Sequence, residues 1–171
     1  MNLHVIAVHF PIALLTLYSL MELVRSRKIA ALPYWFYLKA FLVILGTLSA
    51  INAAALGKLL TLSRGIPLEG AVLMHTLFAV ATIAIFGIIA ILYLLAWLDR
   101  APRQGSGQAG GLSRHPWLEK CGRVTTHPIM VLPALLGLCA ITITGALGGA
   151  IAFGPDTDPL ARFIYNLLVG E

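Results

Sequence analysis

Charge is what this sequence has least of. Its 171 residues include 7 acidic and 12 basic side chains, 11% in all, where a soluble domain carries about a quarter. With 59% apolar residues and a mean hydropathy of +0.90, the chain reads as a membrane protein. Cysteine is nearly absent too. Cys121 and Cys139 form no C-x-x-C, no zinc pattern and no C-x-x-C-H for covalent haem, and read as ordinary thiols. A P-loop, an H-E-x-x-H and a nucleophile–base set are all missing, which removes the commonest nucleotide-binding and hydrolytic chemistries. No basic stretch precedes the first apolar run and no A-x-A site follows it, so a cleaved signal peptide is not expected.

Long apolar runs are what the chain has instead. Crossing about 30 Å of hydrocarbon takes roughly 20 helical residues. Four runs reach that length, over about 3–24, 34–57, 71–98 and 128–153. The absence of dyad alternation argues against a barrel. The expected fold is therefore all-α, an integral membrane four-helix bundle in one domain. Short amphipathic helices are expected in the third loop and at the C-terminus, the latter over about 158–168.

The net charge of +5 resides in the connections, so it reports orientation and lipid contact rather than nucleic-acid binding. Arg25, Arg27, Lys28 and Lys39 flank the first connection; Arg100, Arg103, Arg114, Lys120 and Arg123 flank the third. Only Lys58, Arg64 and Arg162 lie on the other side. The positive-inside rule then makes loops one and three cytoplasmic and both termini external, in a prokaryotic inner membrane.

Several local features refine this outline. Pro11 deprives the Ala7 carbonyl of its helical partner, which predicts a kink beside His9. Ser49, Ala53 and Gly57 recur every four residues, a stripe suited to close helix approach, and Asn52 beside it is expected to hydrogen-bond across helices. Ala79, Thr82, Phe86 and Tyr93 share a face with His75, which suits either a cofactor slot or an interior seam. Gly145 and Gly149 form a G-x-x-x-G, a packing signal of low specificity. Residues 104–111 form a Gly-rich tether, and 113–120 an interfacial helix carrying Trp117. His115 and His127, each before a proline, read as exposed turn histidines. Glu22 reads as a solvated or paired interfacial carboxylate.

The chemistry concentrates at one end. His9 lies about 8–9 Å below the start of the first run and His75 about 6–8 Å below the start of the third, so the two share a depth near the outer leaflet. His4 lies above them. Imidazoles on separate helices suit the axial positions of a b-type haem, and Ala13 and Ala79, one turn further on, leave room for a flat macrocycle. His4 and His9 are turned about 140° apart on a straight helix, so a three-histidine zinc or copper site needs the Pro11 distortion.

The string His4-x4-His9-Phe-Pro-Ile-Ala-Leu, with His75 in Leu-Met-His-Thr-Leu, resembles an uncharacterised family of small bacterial and archaeal membrane proteins, a domain of unknown function. The likeness covers about residues 1–97, and more loosely the Thr-Gly-Ala-Leu-Gly-Gly of the fourth run. Val5 stands where the family places proline, and Lys58 where many members place an acid. The resemblance implies a four-helix membrane protein and suggests haem or metal binding, with His4, His9 and His75 matching the pattern.

Two readings follow. In the first, His9 and His75 hold haem b, with His4 as an accessory or alternative ligand, and the protein serves electron transfer with a redox partner or within a larger membrane complex. A direct zinc or copper site of the same three histidines is a variant of it. In the second, the histidines make buried interhelical hydrogen bonds in a cofactor-free accessory subunit. Transport has least support, because inverted repeats and broken mid-membrane helices are missing.

Overall fold

The computed structural model describes residues 3–24, 26–100 and 116–170. Its elements are α1 (Leu3–Ala7), α2 (His9–Leu23), α3 (Arg27–Ala30), α4 (Pro33–Arg64), α5 (Gly70–Arg100), α6 (Pro116–Thr126), α7 (Val131–Phe153) and α8 (Pro159–Leu168). Single 3₁₀ turns at Pro128–Met130 and Pro155–Thr157 lead into α7 and α8. No strand occurs among the described residues. The tether over 104–111 and His115 lie outside them.

Among the described residues, three helices are long and apolar enough to cross a membrane: Pro33–Arg64, Gly70–Arg100 and Pro128–Phe153. His9–Leu23 is a shorter apolar helix. The first apolar run is divided at Val8, one turn before Pro11, where the missing N–H leaves the Ala7 carbonyl without its helical donor. Helix α4 begins with Pro33 at its first position, where proline's fixed φ suits a helix start. It continues about two turns past Gly57, where the expected helix ended, because Lys58 and Arg64 are tolerated on exposed turns beyond the apolar stretch. Gly65, at φ +61°, then closes it in a left-handed cap, with the Ile66 N–H reaching the Thr61 carbonyl.

Packing closes a ring: α2 lies on α4, α4 on α5, α5 on α7, and α7 on α2. Chain direction alternates around it, which collects the connections at two ends. The basic end holds α3, α6 and the start of α4. The terminal end holds α1, the 65–69 connection and α8. Leu15, Tyr18, Val43, Phe86, Ile89 and Tyr93 fill the middle. Phe86 reaches so far into α7 that a Cβ on Gly137 would stand 2.6 Å from its ring. The outward faces are apolar as well: Leu48, Val80, Ile88, Ile91 and Leu132 are each about 60% exposed. A surface of that kind is a liability in water and the ordinary lipid-facing surface in a bilayer.

Helix α8 starts on a true cap, Asp158 accepting from the Leu160 and Ala161 N–H groups at 2.9 Å. Its apolar residues divide between two jobs. Ala161 and Ile164 are buried, where α8 packs on α7, while Leu160, Phe163 and Leu167 stay exposed.

Candidate functional site

His4 and His75 are held at the terminal end by the same device. The His4 Nδ1 lies 3.0 Å from the Ala53 carbonyl of α4. The His75 Nδ1 lies 2.9 Å from the Thr144 carbonyl of α7. Four residues beyond each acceptor stands a glycine against the ring: a Cβ on Gly57 would lie 2.9 Å from His4 Cε1, and one on Gly148 3.1 Å from His75 Cε1. The reason is local. A helical carbonyl already accepts from the N–H four residues on, and the side chain at that position shields its free lone pair. Glycine removes the shield, so an imidazole from a neighbouring helix can donate to the same oxygen.

A carbonyl only accepts, so in each neutral ring the proton sits on Nδ1 and the lone pair on Nε2. An Nδ1–H anchored to a backbone carbonyl is the usual outer-shell partner of a metal-bound histidine. Each ring therefore presents an Nε2 lone pair of the kind that haem iron, zinc or copper takes.

His9 is placed differently. It stands on an exposed face of α2, as does Ala13 one turn further on. Among the described residues no three His, Cys, Asp or Glu side chains converge as a metal-binding group. A groove of about 280 Å³ lies between α2, α7 and the start of α8, lined by Ile12, Thr16, Ile141, Gly145, Asp158 and Leu160, and no histidine reaches it. His127 serves its own turn, accepting from the Ile129 N–H at the start of the 3₁₀ segment. The face with Thr82, Phe86 and Tyr93 is an interior seam: all three are buried, and Thr82 bonds back to the Phe78 carbonyl.

The basic end holds a polar cluster that the sequence reading missed. Glu22 is 2% exposed and Lys39 7%. Oε1 of Glu22 accepts from Lys39 Nζ at 2.9 Å, from the Tyr18 hydroxyl at 3.1 Å and from the Tyr93 hydroxyl. Tyr93 also lies 3.3 Å from the Thr125 carbonyl, and Phe36 stacks on its ring under the Arg100 guanidinium. One carboxylate thus joins α2, α4, α5 and, through Tyr93, α6. Burying charges is costly, and this pair is tolerable because its strong donors are in place. The signal was available: Tyr18 and Glu22 are four apart on one helix face, and Lys39 lies at the same level across the short first connection.

No family model, no curated protein and no solved structure matches the chain.

Proposed function

We propose that the chain is an integral membrane protein with four spanning segments, α1 and α2 together forming the first. It resides in a prokaryotic inner membrane with loops one and three cytoplasmic. At its outer end, His4 and His75 bind a b-type haem or, alternatively, a zinc or copper ion, and the protein works in electron transfer or as a small redox subunit. One observation carries this choice: two imidazoles at the same end of the bundle, each with its Nδ1 on a backbone carbonyl, which leaves its Nε2 available as a ligand nitrogen. It moves the emphasis from His9 with His75 to His4 with His75. The bound group supplies reversible one-electron chemistry if it is haem; the protein's part is to orient the two rings and fix their tautomer.

Absorption spectra and elemental analysis of the purified protein test this. The expected result is a Soret band, or stoichiometric metal, that is lost in His4→Ala and in His75→Ala and kept in His9→Ala. A colourless, metal-free wild-type protein overturns it. One observation favours a second reading, a cofactor-free membrane module: each ring's N–H is already committed to an interhelical bond, which alone gives the histidines a structural purpose. In that case both substitutions lower thermal stability and change no spectrum.

A further inference from the structure

Every serine and threonine hydroxyl on α4, α5 and α7 bonds back to a carbonyl of its own helix: Thr47, Ser49, Thr61 and Ser63; Thr76 and Thr82; Thr142 and Thr144. Asn52 has no such bond for its amide. It is exposed on α4, and its side chain makes no hydrogen bond among the described residues. The expectation that it bonds across helices is therefore not met inside the bundle. Its depth makes this expensive. Lys39 and Lys58 stand 19 residues apart on α4, about 28 Å along the axis, which is close to the thickness of the hydrocarbon layer. Asn52 lies between them, about 9 Å inside Lys58, where lipid offers no partner for its amide.

The face around it has a regular pattern. Phe41, Leu45, Leu48, Asn52, Ala55 and Leu59 are all exposed, and their spacings alternate between four and three. That is the a/d seam of a two-stranded coiled coil, with one asparagine at an a position. Spacing alone decides little, because Leu77, Val80, Ile91 and Leu98 expose a similar stripe on α5. The α5 stripe is wholly apolar and acyl chains satisfy it. The α4 stripe has an unmet donor and acceptor in its middle.

We infer that α4 is a self-association seam, along which two copies pair with Asn52 of one facing Asn52 of the other. Copies inserted by the same rules share an orientation, so their α4 helices run parallel about a two-fold axis normal to the membrane. On such an axis each residue meets its own equivalent. An amide is both donor and acceptor, so asparagine is complementary to itself, whereas a lone charge is not. Ala55, one turn on, lets the helices approach closely at that level. This inference rests on the membrane-spanning part of the proposed function and not on its cofactor.

The test uses the full chain in membranes, with Cys121→Ser and Cys139→Ser removing the native thiols. Single cysteines at Leu45, Leu48 and Ala55 are expected to give disulfide-linked dimers on oxidation, and cysteines at Leu77 or Ile91 are not. In vesicles, self-association followed by energy transfer between labelled copies is expected to weaken about 5- to 30-fold in Asn52→Leu and to survive in Asn52→Gln. A wild-type protein that stays monomeric at every protein-to-lipid ratio overturns the seam. So does an Asn52→Leu dimer of unchanged strength, or cross-linking on α5 equal to that on α4. A missing Soret band leaves these outcomes untouched, and failed cross-links leave the haem test untouched.

Discussion

Glycine normally costs a helix about 1 kcal/mol relative to alanine, so Gly57 and Gly148 need a reason. The structure supplies one in the two histidine rings seated on them. The competing effects make a sharp prediction. If the rings sat loosely, Gly57→Ala and Gly148→Ala would stabilise the protein by about 1 kcal/mol through helix propensity. With Cε1 at 2.9 and 3.1 Å from the new methyl, each ring has to move off its carbonyl instead, so both variants are expected to melt earlier than wild type. Thermal denaturation in detergent reads the sign directly. Glu22 and Lys39 supply a second case. Removing one member of a buried pair leaves an uncompensated charge and costs about 3–5 kcal/mol, while replacing both with well-packed apolar residues is nearly neutral. Lys39→Met should therefore destabilise strongly, and Lys39→Met with Glu22→Leu should recover much of the loss. A double-mutant cycle that found the two losses simply additive would show that the ion pair does not join α2 to α4.

At the scale of elements, the sequence read best where hydropathy alone decides and least well where partners do. The apolar runs over 34–57, 71–98 and 128–153 lie within the long helices α4, α5 and the segment ending in α7, because an apolar helix of that length needs no partner to be recognised. The extra two turns of α4 were hidden because Lys58 and Arg64 ended the apolar stretch without ending the helix; the stop signal is Gly65 in its left-handed cap. The periodicity of α8 was legible, but not its division into a face packed on α7 and an exposed one, which depends on a neighbour far away in sequence. The candidate residues were legible and their surroundings were not. His4, His9 and His75 all stood out, yet only coordinates bring His4 onto Gly57 and turn His9 outward. A straight helix would already turn the two about 140° apart, and Val8 keeps helical torsions, so the break that follows from Pro11 is a local one. Pro11→Ala restores an N–H for the Ala7 carbonyl and should fuse α1 to α2. Because Val8 already has helical torsions, His4 should stay on Ala53, and the variant should keep whatever spectrum or stability His4→Ala loses.

For the whole molecule, direction across the bilayer is the property on which the placement of the histidines depends. The ring of helices is closed and its two ends differ in kind. One carries Lys28, Arg100 and Arg123 around the buried Glu22–Lys39 pair; the other carries α1, the 65–69 connection and α8. Nothing in the packing says which end faces the cytoplasm, since the same contacts form in either orientation. That decision is electrostatic and is made during insertion, when segments rich in lysine and arginine stay behind. The inward assignment of the basic end can be read with a membrane-impermeant thiol reagent on intact spheroplasts. In the chain with Cys121→Ser and Cys139→Ser, Leu68→Cys lies on an exposed position of the 65–69 connection and is expected to label from outside. Lys28→Cys, exposed on the basic end, is expected to label only after the membrane is opened. The reverse pattern would put His4 and His75 at the cytoplasmic face, where a redox partner for them would have to be a cytoplasmic one.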